Sequence, residues 1–207
     1  MTAWGILAGG QGTRFGGPKV DAIFNGRTFL EHSLDRISLV AGSEDVILVS
    51  LPRDCPSSTL SRIPETFRAL PIVRIFDTVP NLGPVHGVAN MAAVSDLMGH
   101  ELIVTAVDQL GLGQPDLLSI LDACRRHPES VSVAQRGGRR HWVFVGIPKK
   151  LLSKIVGDAH SVSSLQSLYL VNEVVEVEVS ADAVLDVNSI DLLPTSTSHL
   201  RGESSAG

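Results

Sequence analysis

The sequence predicts an α/β fold, a three-layer Rossmann-like sandwich with a mostly parallel sheet between helices. Three observations lead there. Short apolar runs alternate with helical periodicities along nearly the whole chain. The first apolar run ends directly in a glycine-rich loop. The chain has 207 residues, which suits one domain with a single core. Residues 1–193 form that domain in this reading, and the polar, small-residue-rich tail 194–207 is expected to be disordered.

The elements follow in order. Residues 3–7 are apolar and stop at Gly9-Gly10, so they read as a buried strand. Residues 28–41 place Phe29, Leu30, Leu34 and Ile37 at helical spacing, with Thr28 as cap and Glu31 three positions on. Residues 45–50 (DVILVS) are a strand. Residues 58–69 read as a helix interrupted by Pro64. Residues 71–76 are a strand, 85–98 a helix and 101–107 (ELIVTAV) a strand. Residues 115–127 form a helix with Pro115 in its first turn. Residues 131–135 and 141–146 are strands, 149–156 and 162–170 short helices. Residues 171–179 alternate valine with glutamate, so one face of that strand is wet.

Composition removes several classes of function. Hydrophobic residues at 43% and charged residues at 19% are ordinary for a globular protein and exclude wholesale disorder. The net charge of −5 gives no general attraction to nucleic acid or to an anionic membrane. The N-terminal MTAWGILAGG lacks the basic start and apolar length of a secretory signal, and no segment has the length of a membrane span. Cys55 and Cys124 have no zinc-type spacing and read as buried hydrophobes in a reducing compartment. These points together predict a cytoplasmic location. Histidines show no metal-ligand spacing, and no G-x-S-x-G elbow is present.

In a parallel α/β sheet, ligands bind beyond the carboxyl ends of the strands. That rule selects the loops 8–19, 51–57, 77–84 and 108–114. The first reads LAGGQGTRFGGPK from Leu7. Gly9, Gly10, Gly12, Gly16 and Gly17 let backbone amides approach a phosphate closely, and Arg14 and Lys19 give the loop a local basic cluster in an acidic chain. It is not a Walker A loop, because Lys19 lies between Pro18 and Val20. It is not a dinucleotide fingerprint either, because Phe15 replaces the third glycine. Asp108 ends the strongly apolar run LIVTAV. A carboxylate there is a hard oxygen donor suited to Mg²⁺, or else a turn aspartate.

Leu7-Ala8-Gly9-Gly10, then Arg14-Phe15-Gly16 and Lys19, resembles the signature of the molybdenum cofactor guanylyltransferases, and the likeness runs over roughly residues 4–193. The wider superfamily includes sugar-nucleotide pyrophosphorylases and cytidylyltransferases. Gly9, where the cytidylyl relatives usually carry alanine, leans towards the guanylyl branch. The resemblance implies a nucleotidyltransferase fold that transfers GMP from GTP to the phosphate of molybdopterin. It implies Leu7, Ala8, Gly9, Gly10, Lys19, Asp77 and Asp108 at the nucleotide, with Arg14, Lys19 and Asp108 catalytic. It implies Mg²⁺ on Asp108 and Asp186, and the acceptor at Arg139, His141 and Asn188.

Asp186-Val187-Asn188 and Asp191-Leu192 match the family's C-terminal stretch. Gly83-Pro84 and Gly87 match its turn into a helix, where Gly87 permits close helix approach. Two departures stand out. The family's D-x-P after the metal aspartate is here Asp108-Gln109-Leu110, and Pro52 stands near where a nucleotide-contacting asparagine is usual. A CTP-using relative, another phosphorylated acceptor and a non-catalytic nucleotide-binding homologue therefore stay open. The expected assembly is a monomer.

Overall fold

The apolar runs become strands, and the glycines decide how closely the helices cover them. The computed structural model describes residues 1–9, 17–77 and 83–184; Gly10, Arg14, Asp186, Asn188 and the tail, to which the sequence assigns roles, lie outside these.

β1 (Thr2–Leu7) is buried throughout. A hairpin of β2 (Ile23–Phe24) and β3 (Arg27–Thr28) follows. α1 (Phe29–Ser38) starts with the expected reciprocal cap. The Thr28 hydroxyl accepts from the Glu31 amide at 3.1 Å, and the Glu31 carboxylate accepts from the Thr28 amide at 2.7 Å. β4 (Val46–Leu51) is again fully buried.

The expected helix over 58–69 is a correction. α2 is one turn, Ser57–Leu60, and the chain then forms β5 (Thr66–Phe67), which pairs antiparallel with β6 (Leu70–Phe76). Pro64 has no amide to continue the helical ladder, so the helix stops before it. Arg68 and Ala69 make the reversal with φ of 48° and 70°.

α3 (Pro84–Met98) starts after Gly83, whose φ is 75°. β7 (Glu101–Ala106) and α4 (Gln114–Arg126) follow. β8 (Ser130–Arg136) and β9 (Arg139–Ile147) form an antiparallel hairpin across Gly137-Gly138, both left-handed. The stretch expected as a helix over 149–156 is a 3-10 turn at Lys149–Leu151 leading into α5 (Leu152–Asp158). α6 (Leu165–Leu170) is shorter than expected, capped by the Ser164 hydroxyl. β10 (Glu173–Glu178) exposes its glutamates.

Among the described residues the main sheet has the order β10-β8-β9-β7-β1-β4-β6-β5. β6, β4, β1 and β7 are parallel, β10 is parallel to β8, and β9 and β5 run against their neighbours. One core lies between the sheet and α1 and α4, the other between the sheet and α3, α5 and α6. The three-layer, mostly parallel expectation holds.

From β1 the chain first adds β4 and β6 on one side, then crosses to add β7 on the other. The strand order therefore reverses at β1, and in such sheets the ligand crevice lies outside the carboxyl ends of the strands at the reversal, here β1 and β7. The opposite edge is pinned. The buried Asp45 carboxylate accepts from the Trp4 indole at 3.0 Å and the Thr2 amide at 2.8 Å. No described helix is long and apolar enough to cross a membrane.

Candidate functional site at the carboxyl edge of the sheet

Each side of the crevice brings one charge. The end of β1 is bracketed by its neighbours. The Ala8 amide donates to the Ser50 carbonyl at 3.0 Å, and the Leu7 carbonyl accepts from Val107 at 3.1 Å. Leu7 and Ala8 are buried, while Gly9 is exposed, and no described atom lies within 4 Å of where its Cβ would be. Lys19 opens a 3-10 turn whose Val20 is in the core and whose Asp21 carboxylate accepts from the Thr59 hydroxyl. The base of Lys19 is thus fixed, and its side chain reaches across the crevice.

Asp108 meets it from the loop after β7. The Lys19 ammonium donates to Asp108 Oδ2, an ion pair between residues 89 apart in sequence. The Asp108 side chain is 9% exposed and that of Lys19 is 25% exposed. This is a shielded carboxylate with one cation, at the position where the sheet gathers ligands.

The loop carrying Asp108 is tied down on both sides. Arg36 of α1 donates to the Leu110 carbonyl at 2.6 Å. Burial pushes that guanidinium down to about 10, still protonated at neutral pH. Gln109, 1% exposed, accepts from the Ala106 amide at 2.8 Å and donates to the Ala183 carbonyl at 3.3 Å. Sequence reasoning missed Arg36 and Gln109. Arg36 is an ordinary helical arginine in the sequence, and the departure at Gln109 was the one available signal.

Asp77 follows β6, with its amide on the Leu51 carbonyl at 2.9 Å. Its Oδ1 is buried and has no hydrogen-bond partner among the described residues. That burial raises the carboxyl above the usual aspartate range, and the nearby His86 partly opposes the rise. Gly87 lets α3 close on this edge. A Cβ there would lie 2.7 Å from Ser50 Oγ and 3.0 Å from a Leu7 methyl.

Arg139 and His141 start β9, which runs antiparallel, so both lie towards the same edge as the β7 carboxyl end. Arg139 is exposed and His141 half-buried. The same basic stretch carries two ion pairs. Arg136 pairs with Glu178 at 3.1 Å and Arg140 with Glu176 at 2.6 Å. Among the described residues no three His, Cys, Asp or Glu side chains converge on a metal position. In the described part of the site Asp108 is the carboxylate that meets Lys19, and Asp77 lies at the end of β6. Cys55 and Cys124 are buried and free.

The profile of the MobA-like NTP transferase domain matches residues 4–171. The chain belongs to that family. It is 37% identical over 133 residues to a protein of Rhodopirellula baltica named a probable molybdenum cofactor guanylyltransferase. That match covers 63% of this chain and 59% of the relative, so the chain spans about three fifths of the relative's length.

Two solved structures share the fold. Molybdopterin-guanine dinucleotide biosynthesis protein A from Archaeoglobus fulgidus gives a TM-score of 0.69 at 14% identity, covering 91% of this chain and 93% of its own. A Mycobacterium tuberculosis protein solved in complex with manganese gives 0.64 at 16% identity, covering 92% and 94%. In this chain the fold brings Lys19 and Asp108 together at the carboxyl ends of the strands.

Proposed function

We propose that this chain is a cytoplasmic molybdenum cofactor guanylyltransferase, which transfers GMP from GTP to the phosphate of molybdopterin and releases pyrophosphate. The observation that carries the reading is the Lys19–Asp108 pair at the point where strand order reverses. Family membership and the names of the relatives support it. Gly9 supports the guanylyl branch, and two free buried cysteines suit a reducing compartment.

The reaction is in-line attack by an acceptor phosphate oxygen on the α-phosphorus of the nucleotide. The new P–O bond forms as the bond to the leaving pyrophosphate breaks. Two anions must meet, so catalysis consists of alignment and charge neutralisation. Lys19, with Arg14 in the same loop, holds the triphosphate and stabilises the charge on the departing pyrophosphate. Backbone amides of the glycine loop supply further donors.

Asp108 fits a magnesium-type cation. Such ions take one or two protein carboxylates and complete their shell with substrate phosphates and water, so one shielded carboxylate suffices. Asp186 is the proposed second ligand. When bound, the cation neutralises the α-phosphate. The manganese complex of the mycobacterial relative is consistent with a divalent ion on this fold. Asp77 contacts the nucleotide, where its unpartnered Oδ1 gains a donor from the base or the ribose. Arg139, His141 and Asn188 line the acceptor side.

The test is a screen of GTP, CTP, UTP and ATP with Mg²⁺. It reads the shift in melting temperature, then pyrophosphate release with molybdopterin. GTP should stabilise most and be the one consumed. A preference for CTP moves the chain to the cytidylyl branch. Nucleotide binding without pyrophosphate release removes the enzymatic reading.

A further inference from the structure

We propose that Gln109 is a positioning residue for Asp108, holding the aspartate in place by tying the end of β7 to the segment at residue 183. The inference rests on the proposed role of Asp108 at the divalent cation.

Gln109 is a neutral polar side chain with almost no exposure, one position after the aspartate. Burying an amide is costly unless both of its ends are satisfied. Here both are. Oε1 accepts from the amide of Ala106, the last residue of β7, and Nε2 donates to the carbonyl of Ala183, 74 residues further on. The first bond closes a tight turn around Asp108, because the side chain of residue 109 returns to the backbone of residue 106. The second bond fixes that turn to a different part of the chain.

The neighbouring contacts act in the same direction. Gly111 lies so close to the segment at 182 that an added Cβ would sit 2.3 Å from the Asp182 carbonyl oxygen. The Asp116 carboxylate accepts from the Ser180 amide at 2.8 Å, the Ser180 hydroxyl at 3.0 Å and the Gly113 amide at 3.0 Å. Arg36 holds the Leu110 carbonyl from the other side. Residues 109, 110, 111 and 113 are each restrained, and the side chain of Asp108 is the one aimed across the crevice at Lys19. A proline two residues after the aspartate would stiffen such a loop through its own ring. This chain has leucine there and stiffens the loop through a buried amide instead.

A ligand carboxylate depends on its supporting hydrogen bonds for orientation. Gln109→Met keeps length and apolar volume but removes both bonds. It should raise the Mg²⁺ concentration needed for half of the nucleotide-induced melting shift by about 10-fold or more. Nucleotide affinity without Mg²⁺ should stay near wild type. Hydrogen exchange of the Ala106 amide should accelerate, since its acceptor is gone. Gln109→Asn is one methylene too short to span both partners and should shift Mg²⁺ dependence in the same way, which serves if the methionine variant does not fold. Ile155→Val, a core change in α5 on the other face of the sheet, controls for lost stability and should leave Mg²⁺ dependence unchanged.

Wild-type Mg²⁺ dependence in a folded Gln109 variant overturns the proposal, as does an equal shift in Ile155→Val. Asp108→Asn in the same assay separates the two ideas. If that variant shifts and Gln109→Met does not, the positioning role fails alone. If Asp108→Asn does not shift, the reading of Asp108 itself has failed.

Discussion

Removing the Lys19 ammonium should damage both the fold and the chemistry, by amounts that can be reasoned from its surroundings. Lys19→Ala leaves the Asp108 carboxylate shielded and without its cation. Breaking a fully buried pair costs about 3–5 kcal/mol, and an exposed pair is worth about 0–1 kcal/mol. With Lys19 25% exposed and Asp108 9% exposed, the cost falls between these cases, at about 1–2 kcal/mol. For a chain of this size that lowers the melting temperature by roughly 2–8 °C. Added Mg²⁺ should recover part of the loss by giving Asp108 another positive partner. Turnover should fall by more, about 2–4 kcal/mol in transition-state stabilisation, because the proposed mechanism also sets this amine against the leaving pyrophosphate. The assay is calorimetric melting with and without Mg²⁺, followed by pyrophosphate release from GTP with molybdopterin. Lys19→Arg should retain the stability and only part of the rate. A Lys19→Ala protein with wild-type melting, nucleotide affinity and turnover would refute the reasoning.

Gly111→Ala should cost about 1–3 kcal/mol, because its Cβ meets the Asp182 backbone rather than a side chain that can rotate away. Gly157→Ala in α5 meets nothing within 4 Å and should instead gain about 0.5–1 kcal/mol. Equal melting of the two variants would show that residues 180–184 do not pack on the Asp108 loop. Asp77→Asn should melt higher than wild type at pH 7 while binding GTP more weakly. The sign follows from burial, which raises the folded-state carboxyl above its ordinary value of 3.8. Between 3.8 and the raised value the unfolded chain ionises first, so wild type loses stability as pH rises through that window, and the gap to Asp77→Asn should close in more acidic buffer. A lower melting temperature for the variant at pH 7 contradicts the burial argument.

The layers were legible because the strands of a parallel sheet are near-continuously apolar, and β1, β4 and β7 are mostly so, with single polar breaks such as Ser50 and Thr105. α1 was legible because its cap is local. Thr28 and Glu31 signal each other three positions apart. The β2–β3 hairpin carried an equally local signal that went unread, Asn25-Gly26, which turns with φ of 49° and 76°. The β5–β6 turn carried none. Arg68 and Ala69 do not favour a left-handed backbone, so only the sheet pairing of Phe67 with Leu70 explains it.

The site divides in the same manner. Lys19 and Asp108 could be picked out because each follows an apolar strand, and the strand order brings them together. Arg36 and Gln109 could not, since their meaning lies in the Leu110 and Ala183 carbonyls far away in sequence. The engagement of Arg136 and Arg140 was equally hidden, because β10 must first pair with β8 to bring its glutamates alongside.

The proposed place of Asp108 at a divalent cation is tested by a Mg²⁺ titration of pyrophosphate release in wild type and Asp108→Asn. Asparagine keeps the size and one acceptor oxygen but removes the charge. The variant should fold, lose about 100-fold or more of its activity, roughly 3 kcal/mol in the barrier, and be partly restored by excess Mg²⁺. Near-normal rates with an unchanged Mg²⁺ dependence would contradict it.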